Sequence, residues 1–354
     1  MHRATFSTAK LIMTTLSNTK NSVAIIGAGA WGCSLSIQFC KALNVTLYIR
    51  NKETYLEIKN YRTNNEFLPG IHFPEEINIT SDIKQIQSDK IDYILIAVPS
   101  YAIESIAQTI KQLNISCQIP IILATKGINA EGILLSEVIN QYLANPLAIL
   151  SGPNLAIEVA SNKPTIATIA CQDIKLASQI ASIFSTDTFL LIPNNLSTHA
   201  QIAGCIKNIA AIICGISKAY YFSDNTQAYI VMLALNEIIT ISSAIEKKAP
   251  NSQAAECINH YLNAAVVGDL VACCYSLKSR NFSFGNAIAK VDKLKRKDFI
   301  KNYPILVEGK NNAANLIKLC NKFNTYSAFA SLLNKIITDP ENMETYMQTL
   351  LTKK

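Results

Sequence analysis

Up to about residue 190 the chain alternates short apolar runs with stretches whose apolar positions recur at helical spacing. The runs SVAIIG (22–27), VTLYIR (45–50), YILIAVP (93–99), IPIILAT (119–125), LAILSGP (147–153) and TIATIA (165–170) read as strands. Several are unbroken Val/Ile/Leu, as in strands buried on both faces of a parallel sheet. Between them, WGCSLSIQFCKAL (31–43) and AIESIAQTIKQL (102–113) carry helical periodicity. Strand and helix in alternation predict an α/β architecture with right-handed crossovers. Beyond Pro193 the strand signals fade. Helical periods over 198–220, 226–248, 252–264, 309–323 and 326–337 predict an all-helical second half. FLLIPNN (189–195), with its Pro and paired Asn, reads as the boundary. The expected organisation is an extension over 1–20, an α/β domain over 21–195 and a helical domain over 196–354.

Composition supports this division. The chain has 354 residues, 49% of them hydrophobic, enough for two cores. The formal charge of +7 suits anionic small molecules. No Lys/Arg run is interleaved with aromatics, so no nucleic-acid partner is expected. KLKRK (293–297) and EKK (246–248) read as solvated helix ends or loops. No run approaches eighteen uninterrupted apolar residues, so no membrane span is expected. The ten Cys form no C-x-x-C pair, and His2, His72, His199 and His260 are scattered. Reduced thiols in a cytoplasmic setting, with no metal site, follow as the expectation. The first twenty residues are basic, rich in Ser and Thr and free of acidic residues. A targeting segment has that composition, and organelle targeting stays open, but a frayed extension is the favoured reading.

Two features carry chemistry. In the apolar segment IAGCIKNIAAIICGI (202–216), Lys207 and Asn208 interrupt the pattern. A buried ammonium is paired, neutralised or functional, unless its stem snorkels to water. The second feature is Gly27-Ala28-Gly29-Ala30-Trp31-Gly32, a G-x-G-x-x-G that follows an apolar strand and opens a helix. Gly27 allows the tight turn, Gly29 lets the backbone approach a pyrophosphate, and Gly32 lets helix pack on strand. The helix N-terminus then faces the phosphates. The first domain is therefore expected to be a Rossmann-type dinucleotide domain. Where an NAD enzyme often places an acidic residue on the ribose, this chain has Arg50. An Arg forks onto a 2′-phosphate, so the cofactor is NADP or NAD, with NADP favoured.

Ten blocks in one order then resemble the NAD(P)-dependent glycerol-3-phosphate dehydrogenases of bacterial type. They are VAIIGAGAWG (23–32), NNEFLPGIHFP (64–74), AVPS (97–100), ATKGI (124–128), SGPNLAIEVA (151–160), CIKNIAAI (205–212), DNT (224–226), GDL (268–270), SRN (279–281) and VEGKNNA (307–313). The resemblance implies an N-terminal Rossmann-type domain, a C-terminal all-helical domain and an active site between them. It places Lys207 at the catalytic lysine, with Lys126 and Asp269 beside it. Cofactor contacts fall on Gly27, Gly29, Ala30, Trp31, Gly32, Arg50, Lys126, Ala156, Arg280 and Glu308. Substrate contacts fall on Lys126, Gly152, Asn154, Lys207, Asn208, Asp269, Ser279, Arg280 and Asn281. The implied reaction is reversible reduction of dihydroxyacetone phosphate to sn-glycerol 3-phosphate, for phospholipid synthesis, by a homodimer. Lys207 would carry the proton, with its pKa lowered by apolar surroundings and by Lys126, and Asp269 pulling the other way. Arg280 would anchor the phosphate.

The chain also departs from the pattern. Val266-Val267-Gly268-Asp269 stands where the family usually has G-L-G-D, Met232-Leu233-Ala234 where it has T-R-G, and AYYF (219–222) where it has a Gly-rich turn. Losing that Arg is not conservative. The alternatives weighed are a related β-hydroxyacid-type dehydrogenase and a catalytically silent NADP-binding protein.

Overall fold

A strand projects successive side chains to opposite faces, so a sheet covered by helices on both sides needs apolar residues at every position. The computed structural model, which describes residues 20–87, 90–220, 223–247 and 262–351, has such a sheet. Its strands are β1 (Ser22–Ile26), β2 (Asn44–Tyr48), β3 (Asn78–Thr80), β4 (Tyr93–Ile96), β5 (Ile121–Leu123), β6 (Leu147–Ser151), β7 (Thr165–Ala170) and β8 (Phe189–Asn194). They lie in the order β3-β2-β1-β4-β5-β6-β7-β8. Neighbours run parallel except β6 and β7, which are antiparallel. From β1, Val23 and Ile25 enter one core layer, and Ala24 and Ile26 enter the other. The first layer is covered by α1 (Ala30–Phe39), α2 (Lys52–Tyr61) and, later in the chain, the helix over Ile174–Phe184; the second by α3 (Ile103–Gln112) and α4 (Leu135–Asn140). α5 (Ala156–Ala160) and α6 (Ile174–Phe184) complete this half.

All six strands read from the sequence are present. Two more are not foreseen there. β3 is a three-residue polar segment, NIT, with too little pattern to detect. β8 lies within FLLIPNN, the segment read as the boundary: it pairs with β7 as the edge strand of the sheet. An edge position tolerates Pro193, which has no N–H to donate. The Leu191 N–H donates to Ser185 Oγ at 3.0 Å, so this edge is partly closed to further pairing.

The second half comprises α7 (Ser197–Ala219), α8 (Asp224–Glu246), a π turn at Ala264–Gly268, α9 (Asp269–Tyr275), α10 (Arg280–Ala289), α11 (Arg296–Asn302), α12 (Glu308–Lys322), α13 (Ala328–Thr338) and α14 (Met343–Leu351). Residues 1–19 of the extension, most of the helix expected over 252–264 and part of AYYF lie outside the described residues. α7 is buried from His199 to Ser217 and forms the axis of the helical core. α10 crosses it closely because two glycines allow contact. A Cβ on Gly215 would sit 2.1 Å from Phe282 O, and one on Gly285 would sit 2.1 Å from Ile212 O. As continuous helices, α7 and α8 are long and apolar enough to cross a membrane, although no uninterrupted apolar run marks them. The most apolar window of α7 is wholly buried inside the protein, that of α8 only 33%. Within KLKRK, Arg296 is not solvated as expected. It is 4% exposed and bonds to Glu344 at 2.6 and 3.0 Å.

Candidate active site

The glycine-rich turn follows β1 directly and takes the shape its residues predict. Gly27 has φ +116°, and a Cβ there would lie 2.5 Å from Ala97 O. A Cβ on Gly32 would meet Gly27 O at 1.9 Å. At Gly29, by contrast, a Cβ would meet nothing within 4 Å. Two glycines are thus demanded by packing, and the middle one borders open space. Gly29 is the N-cap of α1, and no side chain caps the backbone N–H groups there. Beside the turn, Trp31 Nε1 is buried with no hydrogen-bond partner among the described residues. Open space, uncapped helical N–H groups and an orphaned donor fit a dinucleotide pyrophosphate. Arg50 is exposed just beyond β2, clear of Asn51, which caps α2 by accepting from Thr54 N at 2.9 Å. Ser34 Oγ lies 2.7 Å from the carbonyl oxygens of both Ala30 and Ala156, which holds α5 against α1.

The buried lysine has its partner. α7 carries Lys207 inward, and Lys207 Nζ bonds to Asp269 Oδ1 at 2.6 Å. Lys126, in the loop after β5, bonds to Asp269 Oδ2 at 2.6 Å and to Gly152 O at 3.3 Å. Its stem lies on α7 where Gly204 leaves room: a Cβ there would be 3.3 Å away. Asp269 is 1% exposed and Lys207 7%. One carboxylate therefore bridges two amines from opposite halves of the chain. Beside it, Asn154 donates to Ile166 O at 3.0 Å, while its Oδ1 is buried with no partner among the described residues.

A second network adjoins through Asn208. Asn208 Nδ2 donates to Glu308 Oε2 at 3.2 Å, Asn281 Nδ2 donates to Asn208 Oδ1 at 2.9 Å, and the Gly309 N–H donates to Asn281 Oδ1 at 3.0 Å. Neighbouring Ser279 caps α10, accepting from Phe282 N. Arg280, the first residue of α10, is exposed and makes no hydrogen bond or ion pair among the described residues. The structure thus joins Lys126, Gly152, Lys207 and Asp269, and joins Asn208, Asn281 and Glu308. The glycine-rich turn, Arg50, Ala156, Ser279 and Arg280 make no direct bond to the lysine cluster.

One member went unread in the sequence. Cys273 Sγ lies 3.2 Å from Lys207 Nζ and 3.4 Å from Asp269 Oδ1. It stands four residues after Asp269 on α9, and that i, i+4 spacing was the available signal.

The electrostatics correct one expectation. Burial alone would raise the Asp269 pKa, but the Lys126 and Lys207 charges hold it below the usual carboxylate range. For Lys207, burial pulls the pKa down as expected, yet Asp269 and Cys273 outweigh it and the net shift is upward. For Lys126, burial wins: aided by the Lys207 charge, it exceeds the pull of Asp269 and lowers the pKa. One carboxylate does not fully compensate two buried cations, and the loosened proton sits on Lys126.

The model of the NAD-dependent glycerol-3-phosphate dehydrogenase N-terminus matches residues 22–177, and that of the C-terminus matches 198–348. The chain is similar to glycerol-3-phosphate dehydrogenase [NAD(P)+] of Rickettsia typhi, at 37% identity over 324 residues, covering 90% of this chain and 98% of the relative. The Rickettsia prowazekii protein of the same name is 36% identical, over 90% and 99%. Among solved structures, the glycerol-3-phosphate dehydrogenase of Coxiella burnetii superposes with a TM-score of 0.83 at 28% identity, covering 94% of this chain and 99% of that one. A dinucleotide turn and a buried Lys–Asp–Lys cluster joining a Rossmann-type half to a helical half thus belong to a member of the NAD-dependent glycerol-3-phosphate dehydrogenase family, an NAD(P)-dependent oxidoreductase.

Proposed function

We propose that the chain reduces dihydroxyacetone phosphate to sn-glycerol 3-phosphate reversibly, at the Lys126–Asp269–Lys207 cluster between a domain over 21–195 and one over 196–354. The observation that carries this reading is the single carboxylate holding both amines at 2.6 Å. When bound, NADH or NADPH supplies a hydride to C2 of the ketone. Lys207 Nζ donates a proton to the C2 oxygen as charge develops there. Its raised pKa keeps it an ammonium at neutral pH, which suits an acid. Lys126 lies closer to losing its proton and stabilises the same oxygen by charge. Asp269 orients both amines.

Gly27, Gly29, Ala30, Trp31 and Gly32 would hold the pyrophosphate side of the cofactor, Arg50 its adenosine ribose, and Ala156, Arg280 and Glu308 further contacts. Arg280, with no hydrogen bond or ion pair among the described residues, would bind the substrate phosphate with Ser279 and Asn281. Gly152, Asn154 and Asn208 would line the remainder of the substrate site. The product would feed phospholipid synthesis in the cytoplasm, and the protein would act as a homodimer, which sedimentation would check.

The test is oxidation of NADPH and of NADH by purified protein with dihydroxyacetone phosphate, beside Lys207→Ala. Saturable turnover in the parent, reduced about 10²- to 10⁴-fold in the folded variant, is the expected result. A parent that binds NADPH yet never oxidises it with this ketone overturns the substrate assignment.

A further inference from the structure

Asn312 lies on α12 one turn beyond Glu308, is 3% exposed, and has no assigned part in the reaction so far. Its side chain is pressed against the loop that carries Lys126. Gly127 has φ +114°, and a Cβ there would lie 3.0 Å from Asn312 Oδ1, so only glycine admits the approach. Yet Asn312 Nδ2 is buried with no hydrogen-bond partner among the described residues. An unpartnered buried donor is costly, and native structures keep few of them. This one belongs to a side chain that lies against the Lys126–Gly127 loop, next to the lysine cluster.

The sheet topology says which part of a dinucleotide would reach it. The strand order reverses between β1 and β4, and ligands of such sheets lie across that crevice at the carboxyl ends of the strands. With the pyrophosphate over Gly29, one end of the cofactor runs toward β2 and Arg50, the other toward β4 and β5. The second direction is a continuous wall. Gly27 abuts Ala97 and Val98, Thr125 Oγ1 donates to Val98 O at 2.7 Å, Lys126 follows, and Gly127 abuts Asn312. The nicotinamide end therefore terminates beside Asn312. Its ring carries a carboxamide whose oxygen needs a donor, and Nδ2 supplies one.

We propose that Asn312 is a nicotinamide-recognition residue, donating from Nδ2 to the carboxamide oxygen of the cofactor. The inference rests on the dinucleotide reading of this site, and its test separates the two. Titration calorimetry would measure NADH or NADPH, whichever the parent prefers, beside ADP-ribose or its 2′-phosphate, which lack the nicotinamide. The parent, Asn312→Ala and Asn312→Leu would be compared. Both variants should lose about tenfold in affinity for the reduced cofactor. Both should bind the ADP-ribose compound as the parent does, and the cofactor KM should rise with little change in the ketone KM. Unchanged cofactor affinity overturns the proposal. Equal loss of both ligands also overturns it, because Asn312 would then only support the fold. A parent that binds both ligands but turns over no dihydroxyacetone phosphate would sink the substrate reading and leave the Asn312 comparison intact.

Discussion

Removing the Asp269 charge would leave two ammonium groups facing one another in a buried space. Breaking a buried ion pair by deleting one partner costs about 3–5 kcal/mol, and here one deletion strands two cations. Asp269→Asn should therefore unfold at much lower denaturant concentration than the parent at pH 7. The pH dependence has a definite sign. In the variant both lysines are buried without a counter-charge, so their folded pKa values lie below the unfolded value near 10.4. The deficit should shrink as pH rises toward that value and widen as it falls, measurable as Tm against pH. In the parent, Asp269 has a depressed folded pKa. Its contribution is present above the ordinary carboxylate value and is lost as pH falls through the folded one. At this scale the sequence was half legible. A lysine in an apolar helix announces a buried partner, but that partner lies 62 residues away, and no local pattern weighs burial against a distant carboxylate. The upward shift of Lys207 therefore had to come from geometry.

The helices of the second half were legible where periodicity was long. The period over 198–220 became Ser197–Ala219, and that over 309–323 became Glu308–Lys322. The strands were legible where Val and Ile run together, and missed where they do not. β3 is mostly polar, and Pro193 disguised β8, because proline signals a break unless the strand is known to lie at an edge. Edge or centre is a property of the assembled sheet. The close crossing of α7 and α10 was equally hidden, since Gly215 and Gly285 look like ordinary interruptions in helical patterns. Gly285→Ala should be the more informative substitution. Alanine raises intrinsic helix propensity by about 1 kcal/mol, yet its methyl would overlap Ile212 O. The crossing must open, so net destabilisation of about 1–3 kcal/mol is expected in urea unfolding. A stabilised variant would mean that the helices separate without cost.

Across the molecule, the two halves touch at the site and on either side of it, with different chemistry. At the site they share Asp269. On one side Lys318 and Lys322 reach the carbonyls of Ala130 and Glu131, beside a tight contact at Gly132. On the other, Lys278, just before Ser279 and Arg280, pairs with Glu158 on α5. That last pair is exposed, and such pairs contribute about 0.2–1 kcal/mol. Lys278→Glu should raise the KM for dihydroxyacetone phosphate by no more than about fivefold. The double reversal with Glu158→Lys should restore it, and failure to restore would mean that the pair does not couple the halves. The shared carboxylate has a further consequence in time. Lys126 precedes Asp269 by 143 residues, so during synthesis its amine leaves the ribosome without its counter-ion. At about 5–20 residues per second the wait is on the order of ten seconds, long enough for the sheet to form around a still hydrated ammonium. Burial of that amine would then be among the last events of maturation. Nascent chains stalled before residue 269 should leave Lys126 open to amine-modifying reagents that the finished protein excludes.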